Sequence, residues 1–147
     1  MFREAYAVWK DGPYSGKGIV STPSGVLRNS SYVFGLAETT SSTTPGELLA
    51  AAVSSSMSRM VALKMSQLGA RPVAVDTRAV ITVDNLDDRW RLTAVHMEIT
   101  AKTLDPTTNC LEEAVAEARR DCPIVSELNL DVTCEAKLIL LDVPIAV

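Results

Sequence analysis

The side chains able to do chemistry in this chain are few. Cysteine occurs at Cys110, Cys122 and Cys134, histidine only at His96, and a run of hydroxyls stands at Ser54, Ser55 and Ser56. An odd, sparse set of thiols without a CxxC pair is neither a disulfide framework nor a metal site. A single histidine also removes most zinc and cysteine–histidine chemistry, and no metal or cofactor is expected. The serines lack the GxSxG turn of a hydrolase, and a serine inside a buried helix is ordinarily a packing residue bonded to a carbonyl of the preceding turn. Thiol chemistry remains, and Cys122 is its candidate. Pro123 suggests a helix start beside it, where a thiol is more easily ionised. Adjacent Asp121 opposes that effect, and the sequence offers no evident cationic partner. Cys134 reads as a buried structural thiol on a strand face.

These residues must be positioned by the rest of the chain, and one stretch organises it. Thr44 to Gly69 opens with a capping box, in which Thr44 caps, Pro45 takes the first helical position and Glu47 follows three residues after the cap. Gly69 supplies a left-handed stop. The helix between spans about 36 Å at 1.5 Å per residue. It is apolar nearly all round, from Leu48 to Leu68, with a narrow polar strip at Arg59 and Lys64, and so belongs inside a core. Charges and serines interrupt it too often for a membrane span. Met57, Met60 and Met65 suit core filling first and a ligand surface second.

Before this helix, residues 2–9, 19–22 and 25–34 read as three strands of a meander, joined by turns at 10–18 and 23–25. The polar run 38–44 is a loop without the glycines and lysine of a phosphate cradle. After it, residues 73–84 and 91–102 alternate cleanly and form a long antiparallel hairpin. Val73, Val75, Thr77, Ala79, Ile81 and Val83 share one face, Val95, Met97, Ile99 and Ala101 point inward, and His96 lies on the polar face beside Glu98. Residues 109–121 form an amphipathic helix with acids early and arginines late. CPIVSEL (122–128) reads as a short second helical segment, and 131–140 as a closing strand. The expected class is α+β, one domain over residues 1–147, with mostly antiparallel sheets around a long buried central helix. One sheet covers only one side of such a helix, so a homodimer is expected.

The net charge of −4 over 147 residues argues against nucleic acid as a partner. Met1 is followed by Phe2, Arg3 and Glu4 rather than a basic segment and an apolar run, so a cytoplasmic protein with no membrane attachment is expected.

Three segments, GKGIVSTPSGVL (16–27), TPGELLAAA (44–52) and DCPIVSEL (121–128), resemble the OsmC branch of the OsmC/Ohr family in order and spacing. The resemblance implies an intertwined homodimer with two long central helices and active sites at the subunit interface. It also implies thiol-dependent hydroperoxide reduction in the response to oxidative and osmotic stress. Matched residue by residue, the peroxidatic cysteine falls on Ser56, the activating glutamate on Gly46, and the loop arginine near Leu36 or Ala37. The resolving cysteine alone survives, as Cys122. A serine hydroxyl stays protonated at neutral pH and cannot enter the sulfenic acid ladder, so the ordinary peroxidase cycle is expected to be absent. The resemblance thus points to a homologue that binds a small apolar or electrophilic molecule, or an organic hydroperoxide, in a pocket that includes Gly46, Met57 and Met60. The alternative is a one-cysteine thiol peroxidase or reductase using Cys122.

Overall fold

The computed structural model describes residues 1–34 and 41–142. Six strands and two helices follow in the order β1 (Tyr6–Lys10), β2 (Lys17–Ser21), β3 (Ser30–Tyr32), α1 (Pro45–Gln67), β4 (Pro72–Leu86), β5 (Arg89–Thr103), α2 (Leu111–Asp121) and β6 (Asp131–Leu140). They divide into two compact units, Met1–Leu49 and the chain from Ala50 onward. The class is α+β, as expected from the sequence.

In the first unit, β1, β2 and β3 form an antiparallel meander. The third strand is shorter than its sequence suggests. Gly25 and Asn29 take left-handed φ values of 74° and 48°, which break an extended run. Thr22 and Leu27 close the loop between them with a 2.9 Å backbone hydrogen bond. β1 likewise starts later than residue 2. At the other end of this unit Thr43 pairs with Tyr32 as an isolated parallel bridge, which fixes where the helix begins. The capping box is formed reciprocally. Thr44 N–H donates to Glu47 Oε2 at 3.0 Å, and Glu47 N–H donates to Thr44 Oγ1 at 3.2 Å.

In the second unit, α1 ends as its glycine predicts. Gly69 has φ 88°, its N–H donates to Ser66 O, and Ala70 N–H donates to Met65 O, a complete Schellman cap. The sheet has the order β4-β5-β6. The β4–β5 hairpin turns on Asp87 and Asp88, both left-handed, with φ of 52° and 60°. That is the twist a two-residue hairpin loop requires. The inward face of β5 is buried at Val95, Met97, Ile99 and Ala101. The inward row of β4 is interrupted by register shifts between Pro72 and Ala74 and between Thr82 and Val83. The first shift leaves Val73 of β4 as the extra residue and the second leaves Thr93 of β5, and Val73 and Val83 are both exposed, against the uniform alternation read from the sequence.

β6 pairs with β5 in parallel. A parallel return needs a crossover, and α2 supplies it. Its buried stripe is Leu111, Ala114, Val115 and Ala118. The expected helix over 122–128 is absent. Cys122 precedes a proline, which disfavours helical geometry, and takes φ −68°, ψ 118°. α2 therefore stops at Asp121, and residues 123–127 form turns.

Candidate functional site

α1 carries two adjacent stripes. Val53, Met57, Val61 and Met65 recur every four residues and are fully buried. Ser56, Met60 and Lys64 follow the same spacing one position earlier, and all three are partly buried. Helical i, i+4 neighbours share a face, so Ser56 and Lys64 look the same way from α1. The other serines of the cluster are occupied locally or elsewhere. Ser54 and Ser55 donate back to Ala51 O and Ala52 O, each at 3.2 Å, and Ser58 donates to Thr77 Oγ1 on β4 at 2.9 Å. Ser56 alone reaches a chemical partner: its Oγ lies 3.1 Å from Cys122 Sγ.

Cys122 is fully buried. It caps the C-terminal end of α2, where its N–H donates to Ala118 O at 2.8 Å and its carbonyl accepts from Ser126 N–H at 2.9 Å. The sequence suggested a helix start here. The structure puts the thiol at the opposite end, as the C-cap of α2.

A cation that the sequence did not reveal pairs with the residue before Cys122. Asp121 Oδ2 accepts from Lys64 Nζ at 2.5 Å, and Glu117 lies 3.4 Å from the same ammonium. Arg120 Nε holds the other oxygen of Asp121 at 2.8 Å. The hydrogen bonds from Arg120 and then Lys64 pull the Asp121 carboxyl down to about 2, and the Asp121 contact raises Lys64. A hint was available in the sequence. A lysine on a helix that reads as buried calls for an acidic partner, and Glu117 and Asp121 are spaced to share one face of α2.

The remaining candidates lie elsewhere. Met57 is fully buried and Met60 half-buried, both on α1. Gly46 lies in the first turn of α1, where an added Cβ would meet only Thr44 Oγ1, at 3.9 Å. Leu36 and Ala37 lie outside the described residues. Cys134 is half-buried on β6, where desolvation pushes its thiol up and the nearby Arg119 charge works the other way. Cys110 is half-buried ahead of α2. His96 sits on the polar face of the sheet, with Nδ1 2.8 Å from Thr133 Oγ1. Among the described residues no three His, Cys, Asp or Glu side chains gather as a metal site, and no helix is long and apolar enough to cross a membrane.

An α+β chain with a long apolar helix and a thiol facing its middle has known counterparts. A family model described as OsmC-like protein matches residues 38–137. Peroxiredoxin OsmC of Escherichia coli K12 is 30% identical over 141 residues, covering 94% of this chain and 97% of that protein. The same fold occurs in the OsmC-like protein of Mycoplasma pneumoniae, with a TM-score of 0.75, 10% identity, and coverage of 95% of this chain and 98% of that one. It occurs also in the organic hydroperoxide resistance protein OhrB of Bacillus subtilis, with a TM-score of 0.70, 20% identity, and coverage of 91% and 98%. The chain belongs to the OsmC-like family.

Proposed function

We propose that this chain is a homodimeric OsmC-like protein, one domain over residues 1–147, that binds a small apolar or electrophilic molecule or an organic hydroperoxide without turning it over in a two-thiol cycle. One observation carries the reading: the group facing the buried thiol of Cys122 is the hydroxyl of Ser56, at 3.1 Å. A thiolate attacks the O–O bond and becomes a sulfenic acid, which a second thiol resolves as a disulfide. A hydroxyl supports neither step. The complete burial of Cys122 also keeps it from acting alone as a thiol open to solvent.

Ser56 and Cys122 are the positions of the former reaction centre, with Gly46, Met57 and Met60 lining the pocket once a second chain covers α1. Dimerisation is supported by the uncovered apolar surface of that helix, where Leu63 and Leu68 are exposed. The test combines an organic hydroperoxide and a dithiol reductant with the wild type, Cys122→Ser and Ser56→Cys. The wild type should be inactive. Ser56→Cys should form a disulfide, because a hydroxyl 3.1 Å from a thiol is consistent with the Cα separations of about 4.4–6.8 Å that a disulfide needs. It should still turn over slowly, since Gly46 and the Leu36–Ala37 positions lack the carboxylate and guanidinium that would orient the new thiolate in an apolar site. Gly46→Glu with Ala37→Arg should raise the rate. Fast wild-type turnover that Cys122→Ser abolishes would replace this reading with the one-cysteine enzyme.

A further inference from the structure

Asp121 stands where an acid is least favoured. It is the last residue of α2, and a carboxylate at a helix C-terminus faces the unpaired carbonyls and the negative end of the dipole. Arg120, from the same turn, offsets part of this locally. Its side chain is 69% exposed and adds nothing beyond α2 itself. Lys64 is different, since it reaches across from α1 and its side chain is only 13% exposed. Glu117, one helical turn earlier on α2, also faces the ammonium. Lys64 shares its stripe with Ser56, the residue bonded to Cys122. The end of α2 is thus tied to α1 at two consecutive residues, through the Asp121 carboxylate to Lys64 and through the Cys122 thiol to Ser56. The unfavourable acid makes physical sense as half of an interhelical tie.

We propose that the Lys64–Asp121 pair is a latch that holds Cys122 buried against Ser56, so that the reactivity of this thiol is governed by release of the end of α2. The latch rests on the reading of Cys122 as the thiol of the site and describes how access to it is regulated. Cys122 has no solvent exposure and both its backbone groups are bonded, so a reagent reaches Sγ only when this end lifts, a local opening of the kind that hydrogen exchange and thiol labelling detect. Lys64 acts through Asp121 and is a positioning residue.

The test is alkylation of the native protein by iodoacetamide, with mass spectrometry following each cysteine separately in the wild type, Lys64→Met, Lys64→Arg and Asp121→Asn. Lys64→Met and Asp121→Asn should speed labelling of Cys122 by about two- to fivefold relative to Cys110 and Cys134, the scale of a lost ion pair. Lys64→Arg should label like the wild type. Asp121→Asn also removes the repulsion at the helix end, which offsets part of the lost ion pair, so its melting temperature should fall less than that of Lys64→Met while Cys122 opens in both. A contact that only stabilised the fold would not split in this way. An equal rise at all three cysteines, or no rise at Cys122, overturns the latch. The disulfide test on Ser56→Cys is independent: its failure with selective Cys122 labelling intact would remove the functional reading and leave the latch standing.

Discussion

The two helices solve the problem of burial differently. α2 is complete within one chain. Its apolar stripe of Leu111, Ala114, Val115 and Ala118 is buried, while Glu112, Glu113, Arg119 and Arg120 stay in water. α1 has the same kind of buried stripe, but its other faces are also apolar. Leu48, Leu49, Ala52 and Met60 are half-buried and Leu63 and Leu68 exposed. A helix that is hydrophobic all round is stable only when surrounded. α2 therefore reads as a finished element and α1 as one whose exposed faces the partner in the proposed homodimer would cover. The chemistry falls where they meet, since Ser56 and Lys64 come from α1 and Asp121 and Cys122 from the end of α2.

The contrast breaks most directly at Leu63. Leu63→Asp should abolish dimerisation in analytical ultracentrifugation, because an uncompensated charge in an apolar interface costs about 3–5 kcal/mol. Glu113→Lys on the wet face of α2 should leave the assembly unchanged. A wild-type monomer at micromolar concentration would remove the distinction between the helices altogether. Within the buried stripe, Met57→Ala should lower the stability measured by denaturant by roughly 3 kcal/mol, the middle of the range for a fully buried methionine. On α2, Ala118→Gly should cost roughly 1 kcal/mol, since the change adds backbone freedom and removes one methyl.

The smallest effect should appear in acid. The Asp121 carboxyl is held at about 2, below its ordinary 3.8. A lowered carboxylate contributes stability that is fully present above the unfolded value and is lost as pH falls through the folded one. Stability should therefore decline between about pH 4 and pH 2. Asp121→Asn should remove part of that slope, with the rest shared by groups such as Asp105, which Thr107 also holds low. An unchanged acid profile in Asp121→Asn would show that the tie between the helices carries no net stability.

Much of this molecule is determined by local sequence. The reciprocal Thr44–Glu47 cap, the Gly69 stop and the alternation that buries Val95, Met97, Ile99 and Ala101 depend on residues a few positions apart, and periodicity reports them directly. The α+β class follows from their order. What sequence reading missed were features set by register, direction and distance in space. The bulges at Val73 of β4 and Thr93 of β5 and the parallel return of β6 are choices among pairings that the same alternating pattern allows. Pro123 could signal either a helix start or the end of the helix before it. The tertiary structure selected the end, because α2 already runs up to Asp121 and its next residue must extend ahead of the proline. The Lys64–Asp121 contact bridges 57 positions and the Ser56–Cys122 contact 66. Neither separation leaves a periodic trace, so only the packing of α1 beside the end of α2 could bring a thiol, a hydroxyl and an ion pair into one place.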